Sequence, residues 1–287
     1  MKTLKKPVWI KSKINISKNY FKIHNYLKAN KLNTVCEEAK CPNKHSCWNS
    51  NEITFIILGK ICTRNCKFCN IQESKNYEAV DKDEPSRIAK AISDLNIEYA
   101  IITSVTRDDL PTFGANHFYN TIKEIKRLSN TPIEVLIPDF NGSIKSLNTI
   151  INAKPNIIGH NMETVERLYK KIRPKSSYKT SIRVLKYLKE NSEIPIKTSI
   201  MVGLGETKKE LIKTIKEIQE TGTDILYIGQ YLRPTKKHYP VMKFYSPDEF
   251  EELKDIALKM GIKNVLSGVF VRSSFKAKQI YLSIKNN

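Results

Sequence analysis

The segment Ile53-Thr-Phe-Ile-Ile-Leu-Gly-Lys-Ile-Cys-Thr-Arg-Asn-Cys-Lys-Phe-Cys69 joins an apolar run to a cysteine loop, and the architecture of the chain follows from that junction. Ile53–Leu58 is short, apolar and closed by Gly59, so it reads as a buried strand that stops just before the loop. The loop Lys60–Asn70 then carries Cys62, Cys66 and Cys69 at the spacing C-x3-C-x2-C. Cubane iron–sulfur clusters are ordinarily held by four thiolates. Three on one short loop leave one iron without a protein sulfur. That suits a catalyst, because a substrate can ligate there.

Downstream, short apolar runs alternate with amphipathic stretches. Pro85–Asn96 reads as a helix with Ile88, Ala91, Ile92 and Leu95 along one face. Strands are expected at Tyr99–Thr103, Ile133–Ile137, Asn156–Gly159, Pro195–Val202 and Asp224–Gly229. Helices are expected at Ala115–Leu128, Ser143–Asn152, Glu163–Lys170, Tyr178–Glu190 and Lys208–Glu220. Ser246-Pro-Asp-Glu249 gives an N-cap, Pro at N1 and Glu at N3, opening a helix to Met260. Repeated strand–helix units imply a parallel sheet with right-handed crossovers. Six such units after Ile53 fit an α/β fold, a partial (β/α)6 TIM-type barrel, since a full eight-unit barrel takes about 250 residues. Residues 53–261 are assigned to this barrel, with residues 1–52 and 262–287 as N- and C-terminal extensions. Chemistry belongs at the C-terminal ends of the strands, where the cysteine loop lies.

The composition, 40% hydrophobic and 27% charged, is that of a soluble globular protein. The longest apolar runs are far too short to span a bilayer, so no membrane association is expected. Met1–Ile10 is basic but has neither an apolar h-region nor a cleavage signature, which predicts a cytoplasmic protein. The net charge of +20 attracts anionic partners. The lysines are spread along the whole chain, however, and no nucleic-acid module is recognisable, so no nucleic-acid partner is expected.

All six cysteines lie at or before residue 69, and the other three form Cys36-x4-Cys41-x5-Cys47. A disulfide framework suits small secreted domains and not a chain of 287 residues. Structural zinc prefers four ligands, commonly as C-x2-C knuckles, and neither triplet supplies a fourth cysteine. Inert buried thiols would not fall at such close spacings. A zinc-bearing nucleic-acid-binding protein is the alternative from a different class, with the net charge as its main support.

With the aromatic Phe68 before its last cysteine, the loop motif resembles the signature of the radical S-adenosylmethionine superfamily. That resemblance implies that the open iron chelates the amino and carboxylate groups of S-adenosylmethionine. One electron then cleaves the sulfonium to methionine and a 5′-deoxyadenosyl radical. The two triplets together resemble the lipoyl synthase family. So do Thr103-Ser-Val-Thr-Arg-Asp-Asp-Leu-Pro111, Gly159-His-Asn-Met-Glu-Thr164, Met201-Val-Gly-Leu-Gly-Glu-Thr207, Gly229-Gln-Tyr-Leu-Arg-Pro-Thr235 and Arg272-Ser-Ser-Phe275. The resemblance runs from about Lys31 to about Ala277, with the motifs in the family's order. The family often has Tyr where Phe275 stands and Gly where Phe113 stands; neither change removes a ligand. The nearest rival is another sulfur-inserting or methylthiolating radical enzyme, and the Arg272–Phe275 motif argues against it.

The resemblance implies two 4Fe-4S clusters and two S-adenosylmethionine molecules consumed per product. Cys62, Cys66 and Cys69 would hold the catalytic cluster. Cys36, Cys41 and Cys47 would hold an auxiliary cluster that is the sulfur source, with Ser274 as its fourth ligand. A serine oxygen is a hard ligand, poorly matched to an iron that favours thiolate, which makes sense for a cluster that must be dismantled. On the residues alone, Ser273 and Ser274 read as an ordinary exposed turn. The implied substrate is an octanoyl group, amide-linked to a lysine of a lipoyl carrier domain, which gains sulfur at C6 and C8. That carrier is the E2 component of a 2-oxoacid dehydrogenase or the glycine cleavage H protein. A low-potential electron donor and a cluster-repair protein complete the implied partners. Asn161 and Glu163, after the fourth strand, and Arg173 are candidate contacts to S-adenosylmethionine. The glycines of Met201–Glu206 either make a tight turn or let backbone approach the adenosyl group. No histidine has metal-ligand spacing, and Trp9 and Trp48 read as packing residues.

Overall fold

In the computed structural model, which describes residues 4–11 and 16–286, the apolar run after Ile53 is a strand, as expected. The stretch Met1–Ile10, read above for a leader, begins outside the described residues. The chain divides into two compact units.

The first unit comprises the described residues of Ser12–Thr63, Ile71–Ile158 and Ser274–Asn287. It opens with α1 (Lys18–Ala29), where the Ser17 side chain accepts the Tyr20 N–H and Ile23 and Leu27 are buried. β1 (Asn33–Thr34), α2 (Val35–Glu38) and α3 (Lys44–Asn49) carry the first cysteine triplet. β2 (Thr54–Ile57) leads to a small parallel ladder of β3 (Ile61–Cys62) with β4 (Gln72–Glu73). Then come α4 (Glu84–Asp94), β5 (Ala100–Ser104), α5 (Ala115–Leu128), β6 (Ile133–Leu136) and α6 (Ile144–Ala153). β7 (Ile157–Gly159) follows, and the second unit begins at its last residue. The strands run in the order β1-β2-β5-β6-β7; β2 is parallel to β5, β5 to β6, and β1 antiparallel to β2.

The second unit comprises the described residues of Met1–Lys11, Arg64–Asn70 and Gly159–Ser273. It holds α7 (Glu166–Ile172), α8 (Tyr178–Glu190), β8 (Ile196–Val202), α9 (Lys208–Glu220), β9 (Ile225–Gln230), α10 (Pro247–Lys259) and β10 (Asn264–Gly268). β8, β9 and β10 pair in parallel, and every residue of β9 is buried, as a strand covered on both faces requires. α9 and α10 both open with full capping boxes, Thr207 with Glu210 and Ser246 with Glu249, each N-cap contributing about 1 kcal/mol. The last helix, α11 (Ala277–Lys285), belongs to the first unit, where Ala277 and Tyr281 pack on Tyr99 and Ile101.

Two features depart from the sequence reading. The strand β10 lies in the segment assigned to an extension; its mixed run Asn264-Val-Leu-Ser-Gly268 has no strand pattern of its own and is held by the ladder to β9. The helix expected from Glu163 begins only at Glu166, because Glu163 sits at φ 67 and bridges to Ile200 of β8. Among the described residues no helix is long and apolar enough to cross a membrane.

Candidate functional site

Three short backbone steps gather the first triplet. Thr34 caps α2, its hydroxyl accepting the Glu37 N–H, and so sets Cys36 at the start of a helical turn. The Cys41 N–H donates to the Cys36 carbonyl at 3.2 Å, and the Cys47 N–H to the Asn43 carbonyl at 2.9 Å. None of these thiols is in a disulfide, and all three lie within electrostatic reach of one another. Burial pushes the Cys36 thiol up to about 11, with the neighbouring Cys41 adding to it. Burial likewise raises Cys47, helped by Cys36, Glu52 and Cys41. A metal that binds these thiols must displace their protons, so binding there is coupled to proton release. Among the described residues no three His, Cys, Asp or Glu side chains are grouped to hold a metal ion. A lone zinc would draw its sulfurs to about 2.3 Å from one point, whereas the thiolates of an iron–sulfur cluster bind different irons. Three free thiols, none in a disulfide, are the donor chemistry that an iron–sulfur cluster takes. Burial also raises the Glu52 carboxyl, opposed by Lys278 and Lys276. Ser274 stands two residues before Lys276, in the same unit as the triplet.

The second triplet falls in both units, Cys62 in the first and Cys66 and Cys69 in the second. Just past Cys62, the Thr63 N–H donates to the Thr106 carbonyl at 3.0 Å, and its hydroxyl to Asp108 Oδ2 at 2.8 Å. The Asp108 N–H donates back to the Thr63 hydroxyl at 3.2 Å. Arg107 forks onto Asp109 through Nε and Nη2, both at 2.8 Å. The motif Thr103–Pro111, to which the sequence reading gave no role, is thus a brace for the cysteine loop. Phe113, where the family often has Gly, sits at φ 53, a conformation glycine adopts without steric cost. In the second unit, the Cys69 N–H donates to the Cys66 carbonyl at 3.0 Å, closing a tight turn. His238 donates from Nε2 to the Cys69 carbonyl at 3.0 Å, and the Lys67 N–H donates to the Ile172 carbonyl at 2.8 Å. His238 carries no ligand spacing and was not singled out by the sequence; here it steadies backbone.

Asn161, Glu163 and Arg173 come together in the second unit. The Asn161 amide donates to Glu163 Oε1 at 3.0 Å and to the Ser273 hydroxyl at 2.7 Å. Arg173 Nη1 donates to the Asn161 carbonyl at 3.2 Å and also to the Tyr169 hydroxyl. Burial pushes the Glu163 carboxyl up, while Arg173 and the Asn161 amide pull the other way. Carboxyl, guanidinium and amide form a polar constellation able to hold an amino acid or a ribose. Ser199 and Ser273, their hydroxyls 3.0 Å apart, extend it; Ser199 was missed from sequence, and Ser273, read from its residues as an exposed turn, is half-buried and hydrogen-bonded here. The turn at Met201–Glu206 has a packing explanation: a Cβ on Gly203 (φ 100) would stand 2.3 Å from Gln230 Nε2 and 2.5 Å from the Lys243 carbonyl oxygen. The Glu206 carboxylate accepts the Gly203 and Leu204 N–H groups at 2.6 and 2.9 Å. Trp48 is fully buried against Tyr20, as a packing residue should be, while Trp9 stays 41% exposed and donates to the Tyr245 carbonyl.

Comparison with known proteins adds independent findings. Residues 56–218 match the model of the Radical SAM superfamily, and residues 1–41 that of the N-terminal domain of lipoyl synthase of the Radical SAM family. A lipoyl synthase of Caldicellulosiruptor saccharolyticus is 46% identical over 281 residues, covering 97% of this chain and 98% of that one. One from Buchnera aphidicola is also 46% identical, covering 97% of this chain and 89% of the relative. Among solved structures, methylornithine synthase superposes with a TM-score of 0.55 at 14% identity, covering 95% of this chain and 90% of that chain. Streptococcus suis SuiB superposes with a TM-score of 0.57 at 12% identity, covering 78% and 52%. These likenesses give the chain the α/β, partial-barrel fold class expected from its strand–helix units.

Proposed function

We infer the activity from one premise: the chain belongs to the lipoyl synthase family, within the radical S-adenosylmethionine superfamily. It is a radical enzyme that inserts sulfur, and it uses a 4Fe-4S cluster and S-adenosylmethionine as its superfamily does. Its substrate is an octanoyl-lysine on a lipoyl-carrier protein, and the product carries sulfur at C6 and C8. We assign Cys62, Cys66 and Cys69 to one cluster, and Cys36, Cys41, Cys47 and Ser274 to a second. When bound, the first cluster supplies the electron that cleaves S-adenosylmethionine to methionine and a 5′-deoxyadenosyl radical, and the second supplies the sulfur.

The C6 methylene and the C8 methyl have no acidic proton, so general acid–base catalysis has no foothold there. The task of the residues is to bind, orient and shield. Glu163, Asn161 and Arg173 are assigned to S-adenosylmethionine, with the Glu163 carboxyl and the Arg173 guanidinium as partners for an amino acid's ammonium and carboxylate ends. Two hydrogens to be removed call for two S-adenosylmethionine molecules per product. Ser274 is a hard ligand that exchanges more readily than a thiolate, in keeping with a cluster that gives up its sulfur. In this division residues 1–52 contribute the auxiliary thiols, the barrel runs from residue 53 through β10, and the segment after β10 contributes the serine.

The observation that carries the reading is the pairing of two triplets of free thiols at close spacing, Cys36, Cys41 and Cys47 with Cys62, Cys66 and Cys69. The basic surface, at net charge +20, favours an acidic carrier, either a 2-oxoacid dehydrogenase E2 component or the glycine cleavage H protein. A low-potential electron donor and a cluster-repair protein complete the cycle in the cytoplasm, without nucleic acid or membrane. Anaerobic purification tests the reading: brown protein with about eight irons per chain is expected for two 4Fe-4S clusters. Colourless protein with stoichiometric zinc would overturn it in favour of a zinc-bearing nucleic-acid binder.

A further inference from the structure

The turn that delivers the chain from β2 to Cys62 is held by two buried side chains outside the cysteine loop. Leu58, at φ 68, and Gly59, at φ 85, reverse the chain in consecutive left-handed residues. L side chains rarely adopt that conformation, so something must hold Leu58 there. Its N–H has left the strand ladder and donates to Glu84 Oε2 at 2.9 Å. The same oxygen accepts from His117 Nε2 at 2.7 Å. All three residues are buried, at 3%, 6% and 7% exposure. Glu84 is the first residue of α4 and His117 lies in the first turn of α5. The pair therefore ties the starts of two helices to one backbone N–H, four residues before Cys62. On the far side of Cys62, Thr63 is fixed to Thr106 and Asp108, as described above. Cys62 thus lies between two anchors, and its own strand β3 adds the short ladder to β4.

We propose that Glu84 and His117 are a positioning pair that fixes the turn feeding Cys62 to its iron, and with it the geometry in which S-adenosylmethionine meets the cluster. This rests on the assignment of Cys62 as a cluster ligand. The pair touches neither substrate nor metal; it acts through the Leu58 N–H. An unpaired buried N–H is expensive, so loss of the carboxylate frees the turn to leave its left-handed conformation. A ligand displaced by about 1 Å is enough to cost about two orders of magnitude in a reaction that depends on orientation.

Four variants of the full chain test it, each reconstituted anaerobically. Glu84→Ala and His117→Phe break the pair. Glu84→Gln keeps an acceptor for Leu58, and His117→Gln keeps a donor near the Nε2 position. The readouts are the paramagnetic resonance spectrum of the reduced cluster with and without S-adenosylmethionine, the affinity for S-adenosylmethionine, iron per chain and the thermal midpoint. Glu84→Ala and His117→Phe should bind S-adenosylmethionine about tenfold or more weakly, with a blunted spectral response, the first because the Leu58 N–H is left unsatisfied and the second because the buried Glu84 carboxylate loses its donor. Their auxiliary iron, about four per chain, should remain. The two Gln variants should stay within about threefold of the parent. Parent-like spectra and affinity in Glu84→Ala and His117→Phe would overturn the proposal. So would loss of both clusters together with the folded state in every variant, which would make the pair merely structural. Cys62→Ala run alongside separates the two levels of inference. If it keeps the spectral response, the ligand assignment itself fails; if only the pair variants keep it, the positioning role alone falls.

Discussion

Gly229 tests whether the C-terminal serine motif works through a fixed backbone. Gly229 lies in β9, and a Cβ placed there would stand 2.2 Å from the Val271 carbonyl oxygen and 3.1 Å from its carbon. Ordinary contact begins near 3.4 Å, so Gly229→Ala forces the Val271 backbone outward by about 1.2 Å. The obstacle is main chain and cannot rotate away. Overpacking of this kind costs about 1–3 kcal/mol. The displaced segment continues directly into Arg272, Ser273 and Ser274. Arg272 Nη1 already leans on the Val271 carbonyl at 2.6 Å, and Ser273 is tied to Asn161 and Ser199. A shift of that size at a ligand is of the order that costs about 100-fold where orientation governs the rate. The assay is anaerobic single turnover, following 5′-deoxyadenosine and carrier mass together with the thermal midpoint. Gly229→Ala should lower the midpoint and uncouple the two products, with 5′-deoxyadenosine still formed and lipoyl yield reduced. A variant with parent stability and parent coupling would refute the close approach as a functional constraint.

Cys66→Ala should abolish 5′-deoxyadenosine under reducing, anaerobic conditions; parent-rate cleavage in a variant of known iron content would show the ligand assignment wrong. Cys41→Ala should still form 5′-deoxyadenosine slowly while making no lipoyl group, and full product from this variant would end the sacrificial role given to the first triplet. In the metal-free protein, burial holds the Cys36 proton more tightly in the fold, moving that thiol from 9.0 to about 11. The stabilisation is therefore complete below about pH 9 and lost as pH rises towards 11, an effect of roughly 2–3 kcal/mol that denaturant melts of Cys36→Ala should lack. Affinity for the octanoylated carrier should fall as salt rises from about 0.05 to 0.5 M, and indifference to salt would remove the electrostatic part of docking.

Helices with a strong period were legible to within a residue or two. Ala115–Leu128 and Lys208–Glu220 match their expected limits, the second because Thr207 and Glu210 form the capping box. β10 was not legible, because its stability comes from the edge of β9 and not from its own pattern. The site divides in the same way. A cluster takes its thiolates from neighbouring turns, so the proposed ligands Cys36 to Cys47 and Cys62 to Cys69 could be picked out by spacing. The groups that brace the cysteine loop and build the polar constellation have no such local signature. Ser273 finds Asn161 across 112 positions and Ser199 across 74; His238 finds Cys69 across 169. These are contacts that only the closed chain creates. The sequence of a radical enzyme therefore discloses what chemistry its loop can perform well before it discloses how the loop is aimed. Glu84 and His117 make the point most sharply, since an acid and a histidine 33 positions apart invite a catalytic reading. Their shared burial and the single N–H they hold argue instead that precision at Cys62 is built from the two helices behind it.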